Sequence, residues 1–245
     1  MIQVNGLHKS FGQVVALRGV TFSAPDGRIT GLVGPNGAGK TTSLRILYTV
    51  LRPDRGSASV DGYDTTVAAL QVLRQIGAVP DSHGLYPRLT ARENIRYYGR
   101  LHSQSGEALE RNIEALITLL DMQDFADRRS EGLSQGQRVK VAIARALVHQ
   151  PRNILLDEPA GGLDVLSTRA MRTFIRRLRD EGRCMLFCSH IMQEVSTLCD
   201  NIVVLARGEV VATGTPDELR QMTHQANLED ALVAVIGSEV GLERC

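Results

Sequence analysis

The chain has 245 residues, of which 43% are hydrophobic and 22% are charged, a globular composition that excludes intrinsic disorder and fibrous repeats. Lys and Arg number 28 against 27 Asp and Glu, which gives a formal net charge of +1. This charge balance gives no reason to expect broad electrostatic binding to nucleic acid. Because aromatic residues make up only 4% and Trp is absent, stacking on bases is not expected either.

Membrane insertion and secretion are not expected. The apolar stretches, such as Ile202–Ala206, are strand-sized, whereas a bilayer span needs about 20 apolar residues. The first residues turn polar too soon for a secretory signal. The four cysteines (184, 188, 199 and 245) lack CxxC spacing, which indicates free thiols rather than a metal site or disulfides. We therefore expect a cytoplasmic protein.

The first quarter of the sequence predicts mainly strands and turns. Polar and apolar residues alternate over Ile2–Leu7, and Val14–Phe22 is rich in β-branched and apolar residues, as in half-buried strands. The apolar run Ile29–Val33 leads into a glycine-rich turn and predicts a strand buried in a sheet. A helix is expected next, because apolar residues recur at helical spacing up to Leu51. Further strands are predicted at 57–60 and 76–79.

Helices dominate the middle of the chain. Thr90 and Glu93 fit a capping box, and we interpret residues about 85–150 as a helical subdomain inserted into an α/β domain. Beyond it, strands and helices alternate, which favours a mostly parallel sheet covered by helices. The predicted helices are 91–101, 107–120, 135–149, 165–180, 191–198, 216–222 and 228–236, and the predicted strands are 153–156, 184–188, 202–205 and 209–213.

A glycine-rich loop after the strand at 29–33 carries the strongest motif. Residues 34–41 read Gly-Pro-Asn-Gly-Ala-Gly-Lys-Thr and fit the phosphate-binding pattern GxxxxGK[ST]. Glycines let backbone N–H groups converge on phosphate oxygens, and the following helix adds the positive end of its dipole. Lys40 is expected to reach the β- and γ-phosphates, and the Thr41 hydroxyl to bind Mg²⁺. The flanking strand and helix disfavour a chance match.

Two acidic residues stand at the end of the apolar strand predicted at 153–156. Asp157 is placed to hold Mg²⁺ through water, and Glu158 to polarise an attacking water as general base. A solvated turn is the alternative, but an acid pair after a buried strand is costly without a cation or hydrogen bonds. His190 follows another predicted strand. We expect it to bond the γ-phosphate or the positioned water, because ligands lie at the carboxyl ends of parallel strands.

A further motif lies between these two sites. Residues 133–137 read Leu-Ser-Gln-Gly-Gln and resemble the LSGGQ signature of ATP-binding cassette (ABC) ATPases. Because the other motifs occur in that family's order, the resemblance covers residues 1 to about 218. It implies an α/β fold: a P-loop ATPase core with a mostly parallel sheet, an N-terminal antiparallel β subdomain and the inserted helical subdomain. Residues 219–245 would form a short C-terminal helical extension.

In this family two cassettes pair head to tail, and the resemblance implies that ATP is held between the phosphate loop of one copy and the signature of the other. Phe11 occupies the position of an aromatic that stacks on adenine, with a core residue before a turn as the alternative. Asp164 matches the loop that couples the two sites. The implied ATP-binding set is Phe11, Gly34, Pro35, Asn36, Gly37, Ala38, Gly39, Lys40, Thr41, Thr42, Ser134, Gly136, Gln137 and Asp164; the catalytic set is Glu158, His190 and Lys40; the metal set is Thr41, Asp157 and Asp81.

Two positions depart from the family pattern. Asp81 stands where the family has a Gln that binds Mg²⁺ and senses the permease, and a carboxylate there can still meet the cation through water. The loop at 160–162 reads Ala-Gly-Gly, where the family often has small hydroxylated residues. Neither change removes a catalytic carboxylate, so ATP hydrolysis is expected. The intact Lys40, Asp157, Glu158 and His190 disfavour a binding-only regulatory module.

The resemblance also predicts partners. A cassette without membrane spans would borrow a separate multi-span permease and pair with a second ABC ATPase subunit, as a homodimer on the cytoplasmic face of the membrane. Residues 227–232 read Asn-Leu-Glu-Asp-Ala-Leu and resemble the tail of exporter ATPases. The sequence as a whole resembles sodium-export or drug-export subunits. The alternative is a soluble ABC-type ATPase acting on ribosomes or nucleic acid. The arginines of helix 165–180 are interpreted as a solvated face.

Overall fold

A computed structural model describes residues 1–81, 84–161 and 163–240 and contains two β-sheets in those residues. The first sheet has four antiparallel strands in the order β2-β1-β4-β5. Its strands are β1 (Ile2–Phe11), β2 (Val14–Ala24), β4 (Arg55–Val60) and β5 (Tyr63–Asp64).

The second sheet has six strands in the order β10-β9-β3-β8-β7-β6. All neighbours from β9 to β6 are parallel, and β10 joins the edge antiparallel to β9. Because parallel strands end at the same edge, the residues that follow β3, β6, β7 and β8 are brought together. The strands are β3 (Ile29–Val33), β6 (Ile76–Val79), β7 (Asn153–Asp157), β8 (Cys184–Cys188), β9 (Asn201–Ala206) and β10 (Glu209–Gly214).

Helices surround the six-stranded sheet, and three of them lie between β6 and β7 in the chain. The helices are α1 (Lys40–Leu47), α2 (Ala69–Gln75), α3 (Ala91–Leu101), α4 (Gly106–Leu119), α5 (Gln135–Leu147), α6 (Val165–Asp180), α7 (Met192–Leu198), α8 (Pro216–Thr223) and α9 (Leu228–Val240). Helices α3, α4 and α5 pack on one another. The division into a cassette, an insertion at 85–150 and an extension from 219 stays a prediction.

Both faces of the parallel sheet are buried, which explains why its strands are almost continuously apolar. In β7, Ile154 and Leu156 face a cluster shared with the helices, whereas Leu155 faces a cluster shared with the antiparallel sheet. The N-terminal sheet, together with α1 and α2, therefore covers one face of the larger sheet, and helices α3 to α9 cover the other.

The fold expected from the sequence is confirmed: the class is α/β, with a mostly parallel sheet and an antiparallel sheet. Helix boundaries differ slightly. Helix α5 ends at Leu147 because Gln150 adopts a φ of 56° before Pro151, and His149 turns to bond the Ile76 carbonyl oxygen at 2.9 Å. Cys184, Cys188 and Cys199 are free and buried as predicted, and Cys245 lies outside the described residues. Within those residues, every helix is too short or too polar to cross a bilayer.

Candidate functional site

The loop between β3 and α1 has the backbone of a phosphate cradle. Gly34, Gly37 and Gly39 adopt φ values of 151°, 80° and 105°, which only glycine takes up without strain. Gly39 precedes α1, and no side chain caps that helix start. Its first N–H groups therefore lack an intrahelical acceptor and point out of the helix end, where they can donate to an anion.

Close packing behind the loop requires two of these glycines. A Cβ on Gly34 would lie 2.0 Å from the Leu205 carbonyl oxygen, and a Cβ on Gly39 would lie 2.7 Å from Leu17 Cδ2 and 2.9 Å from the Ala16 carbonyl oxygen. Strands β2 and β9 therefore press the loop from behind. Gly37 meets nothing within 4 Å, so that position is open on the side where a ligand would lie.

Lys40 at the start of α1 lies folded over its own loop. Its ammonium donates to the Gly34 carbonyl oxygen at 2.5 Å and to the Pro35 carbonyl oxygen at 3.0 Å. Pro35, Asn36, Gly37 and Thr41 are exposed, whereas Ala38 is buried. Two backbone carbonyls thus hold the Lys40 ammonium over the loop, and phosphate oxygens could take their place as hydrogen-bond acceptors.

Acidic residues meet at the carboxyl edge of the sheet. Asp157 is the last residue of β7 and pairs in register with Cys188 of β8, and Val79 of β6 pairs with Leu156. Asp81 follows β6 by two residues. Burial and the charges of Glu158 and Asp81 raise the pKa of Asp157 to about 6, although Lys40 and Arg45 oppose the shift. Asp157 is therefore a partly buried carboxylate with acidic neighbours on one side and two basic side chains that act on it in the opposite sense.

This donor set fits a hard cation. Asp157, Asp81 and Thr41 offer only oxygen ligands, which Mg²⁺ prefers. Among the described residues, no three His, Cys, Asp or Glu side chains lie close enough together to hold a metal ion. A cation here would therefore take part of its shell from nucleotide phosphates and water, as Mg²⁺ does in nucleotide sites.

Glu158 and His190 are in direct contact. Glu158 Oε2 lies 2.8 Å from His190 Nδ1 and accepts the His190 backbone N–H at 3.3 Å. The Glu158 backbone has a φ of 50° and its N–H donates to the Cys188 carbonyl oxygen at 2.9 Å. The backbone bond to Cys188 thus holds the turn after β7 against the end of β8. The contact with His190 orients the Glu158 carboxylate and leaves its second oxygen available to a water.

The predicted signature forms the start of α5. Ser134 caps the helix: its hydroxyl accepts the Gln137 N–H at 3.3 Å, and its own N–H donates to Gln137 Oε1 at 3.0 Å. The serine hydroxyl keeps its hydrogen for another acceptor. Ser134 and Gln135 are exposed, and the N–H groups of Gln135 and Gly136 lie in the first turn without intrahelical acceptors. This is a second helix start whose N–H groups can donate to an anion.

Asp164 connects the signature to α6. Its carboxylate caps α6 by accepting the Ser167 N–H and the Ser167 hydroxyl, both at 2.8 Å. These bonds lower the pKa of Asp164. A Cβ on Gly136 would lie 3.3 Å from Ser167 Oγ, so the starts of α5 and α6 are adjacent. Gly162, in the same predicted loop, lies outside the described residues.

Comparison with known proteins identifies the family. The family model described as ABC transporter matches residues 17–161, more than half of the chain. This protein belongs to the ABC transporter family. It is an ATPase subunit of the ATP-binding-cassette type.

Relatives of this ABC ATPase include both exporters and importers by name. It is 42% identical over 216 residues to the ABC transporter ATP-binding protein NatA of Bacillus subtilis, covering 88% of each chain. It is 34% identical to the Nod factor export ATP-binding protein I of Burkholderia lata, over 89% of this chain and 72% of that one. It is 35% identical to the sulfate/thiosulfate import ATP-binding protein CysA of Synechocystis, over 89% of this chain and 61% of that one.

A solved ABC cassette shares the fold of this chain. A dimeric cassette captured in a post-hydrolysis state with ADP and Pi superposes with a TM-score of 0.80 at 27% identity, over 88% of this chain and 98% of that one. Cassettes of this kind bind nucleotide, hydrolyse ATP and form dimers.

The ABC fold brings together some predicted residues and separates others. The phosphate loop, Asp157, Glu158 and His190 share one edge of the sheet, whereas Ser134, Gly136 and Asp164 lie at the starts of α5 and α6. Phe11 is 47% exposed, so the alternative of a core residue is wrong, and Lys9 Nζ lies 5.7 Å from its ring centroid. An exposed ring at the end of β1 is available for stacking.

Sequence reasoning missed Ser167 and Arg45. Ser167 lies between Asp164 and Gly136, and the Asp-x-x-Ser spacing is a helix-cap signal that points to it. Arg45 lies on α1 one turn beyond Thr41 and acts on Asp157 electrostatically, and the i, i+4 spacing indicates the shared helix face.

Proposed function

We propose that this protein is the ATP-binding and ATP-hydrolysing subunit of an exporter, driving a separate multi-span permease from the cytoplasmic face of the membrane. Closure of a head-to-tail homodimer on ATP would supply the work. The observation that carries the proposal is the split of the anion-binding groups of one copy over two places, the start of α1 and the start of α5.

Packing supports this split. Helix α1 packs on β2 and β4, whereas α5 packs on α3, α4 and β6. Each helix start presents free N–H groups, and neither surrounds a triphosphate alone. In a head-to-tail pair, Ser134, Gly136 and Gln137 of one copy would face the γ-phosphate held by Lys40 and the loop 34–39 of the other. The cradle would also use Thr41 and Thr42, and Asp164 would lie at the junction of the two sites.

The chemistry we propose is attack of water on the γ-phosphorus. Glu158 takes a proton from the water while the water oxygen forms a bond to the γ-phosphorus. The bond from the γ-phosphorus to the bridging oxygen breaks, and its electron pair leaves with ADP. His190 orients the Glu158 carboxylate through the 2.8 Å contact. Lys40 and the partner signature stabilise the charge that develops on the transferring group.

Thr41, Asp157 and Asp81 would hold Mg²⁺. The cation, when bound, neutralises oxygens of the β- and γ-phosphates. Burial, followed by the charges of Glu158 and Asp81, raises the pKa of Asp157, and a bound cation would offset the contribution of those two carboxylates.

Export is favoured over import by the C-terminal segment and by a relative named as an exporter. Residues 227–232 resemble an exporter tail, and Asn227 caps α9 by accepting the Asp230 N–H at 2.8 Å. Sodium ions or drugs are the cargo classes that the resemblance suggests, and the permease would select between them.

A role on ribosomes or nucleic acid is less well supported. Three of the five arginines of α6 pair with carboxylates: Arg172 with Glu194, Arg177 with Glu181, and Arg179 with Asp180 and Asp200. A basic face with most of its charges paired offers little to phosphates.

The test uses the purified subunit carrying Glu158→Gln. With Mg-ATP it should sediment as a dimer, and without nucleotide as a monomer. Glu209→Gln, on the exposed edge strand β10, is the matched control and should still turn over. A Glu158→Gln protein that stays monomeric at saturating Mg-ATP would contradict the sandwich.

Export itself is tested by capture from membranes. A tagged subunit should retain a multi-span protein, and vesicles containing both should lose cargo from the compartment that holds the ATPase. Recovery of ribosomes or nucleic acid in its place would favour the alternative.

A further inference from the structure

One arginine of the signature helix is buried and reaches back to the segment that follows Asp81. Arg145 is 3% exposed. Its Nη1 donates to the Gly84 carbonyl oxygen at 2.9 Å, and its guanidinium carbon lies 4.2 Å from the centroid of the Tyr98 ring. Burying a guanidinium costs free energy unless its donors are used, so this contact sets the local geometry.

The rest of the segment 84–90 is attached to α3. Asn94 is fully buried and holds the segment with both its amide oxygen and its amide nitrogen. Its Oδ1 accepts the Tyr86 N–H at 2.9 Å, and its Nδ2 lies within 3.3 Å of the Tyr86 and Leu89 carbonyl oxygens. Asn94 Nδ2 also donates to Ser130 Oγ at 2.9 Å, which extends the attachment toward the signature.

Backbone bonds join the same segment to the residues just before Ser134. The Ser130 N–H donates to the Leu89 carbonyl oxygen at 2.9 Å, and the Glu131 N–H to the Pro87 carbonyl oxygen at 3.1 Å. The segment is thus connected to the signature at its start by Arg145 and at its end by residues 130 and 131.

Asp81, in contrast, belongs to the nucleotide edge of the sheet, because it follows β6 by two residues and Val79 at the end of β6 pairs in register with Leu156, next to Asp157. Three residue steps separate Asp81 from Gly84, and such a tether spans at most about 11 Å. Asp81 therefore cannot move farther than this distance from Gly84 unless Gly84 moves with it. Gly84 in turn is bonded to α5, whose N-terminus would serve the nucleotide of the partner copy.

We propose that Arg145 is a positioning residue that fastens the segment 84–90 to the signature helix, so that the segment and Ser134 move as one body. The inference rests on the proposed function, in which Ser134 meets the nucleotide of a second copy. Without Arg145, α5 would keep its capping box, but its placement relative to Asp81 would loosen, and dimer closure would weaken.

The test compares Arg145→Lys and Arg145→Met in the Glu158→Gln background. Lys keeps the charge but loses the planar fork and the stacking on Tyr98. Arg183→Met is the matched control, because Arg183 Nη1 donates to the Pro151 carbonyl oxygen at 2.9 Å, outside the segment 84–90. Two quantities are measured: the affinity of the monomer for a fluorescent ATP analogue, and the protein concentration for half-dimerisation at saturating Mg-ATP.

Both Arg145 variants should bind the analogue within about twofold of the parent and need at least about tenfold more protein to dimerise. Arg183→Met should shift neither quantity by more than about twofold. Equal dimerisation of the parent and both Arg145 variants would overturn the inference, and so would an equal loss in Arg183→Met. If Arg145→Met does not fold, Arg145→Lys decides the outcome alone.

Hydrogen exchange separates a failure of this inference from a failure of the proposed function. The amides of Ser130 and Glu131 should exchange faster in Arg145→Lys than in the parent, whatever the oligomeric state. If the parent never dimerises, the proposed function fails while this readout still applies. Unchanged exchange at both amides would show that Arg145 does not hold the segment.

Discussion

Glu158 Oε2 and His190 Nδ1 lie 2.8 Å apart, although 32 residues separate them in the chain. The same carboxylate oxygen accepts the His190 backbone N–H, so side chain and main chain both hold it. The Glu158 side chain is 20% exposed, and that of His190 is 70% exposed. One oxygen of the carboxylate is thus committed to His190, and the geometry favours water at the other.

Replacing Glu158 by Gln should abolish turnover while leaving ATP binding intact. The amide keeps the size of the carboxylate but cannot accept the proton of the attacking water, and loss of a general base costs about 10²- to 10⁴-fold. Phosphate release measures the rate, and binding of a fluorescent ATP analogue measures affinity. Residual turnover within about tenfold of the wild type would remove Glu158 from the role of base.

His190→Ala should lower kcat by about tenfold or more with little change in KM, because the Glu158 carboxylate loses its orienting partner. His190→Gln can still donate a hydrogen bond to Glu158 and should recover part of the rate. Steady-state kinetics on the three proteins test this. Equal losses in the Ala and Gln variants would indicate that His190 acts on the phosphate or the water rather than through Glu158.

Gly34→Ala should destabilise the protein far more than Gly37→Ala. At position 34 a Cβ would lie 2.0 Å from the Leu205 carbonyl oxygen at a φ of 151°, which costs about 2 kcal/mol or more in backbone strain before the collision is counted. At position 37 the space is open and only the φ of 80° is unfavourable, at about 1–2 kcal/mol. Urea unfolding gives both values, and the reverse order would contradict the packing described.

Stability should fall in mild acid partly through His149. Burial and the neighbouring His102 lower the pKa of His149 from 6.5 to about 4. The unfolded chain therefore takes up a proton first, and the contribution of this group is lost as pH falls from about 6.5 to about 4, by about 3 kcal/mol at most.

His149→Gln, which keeps an N–H donor for the Ile76 carbonyl oxygen, should show a shallower dependence of Tm on pH between 6.5 and 4.5. The exposed His8→Gln serves as control and should keep the slope of the wild type. A slope in His149→Gln as steep as that of the wild type would show that other groups govern the acid sensitivity.

Local signals predicted most of the secondary structure because each is written in neighbouring residues. The run Ile29–Val33 is a buried strand, the capping box at Thr90 begins a helix as expected, and a helix starts at Gln135 as predicted. The phosphate loop could be predicted in the same way, because its three glycines with positive φ and its lysine all lie within seven residues. Such features depend on backbone geometry over short spans.

Long-range contacts could not be predicted in the same way. Phe11 is exposed at the end of β1, although an apolar ring before a turn is compatible with the core. The arginines of α6 were expected to be solvated, yet Arg172 lies 3.7 Å from Glu194 of α7, whose side chain is only 2% exposed. No spacing rule indicates that Arg145 bonds Gly84, 61 residues away.

The sequence alone determined the fold class, the phosphate loop, the acid pair and the family, because these are set by residue type and by spacing within single elements. Only the tertiary structure decided that Glu158 Oε2 contacts His190 Nδ1 and that Arg145 joins α5 to Gly84. The order of strands in the sheet is set by side-chain packing on both faces, and packing between distant segments leaves no periodic trace in the chain.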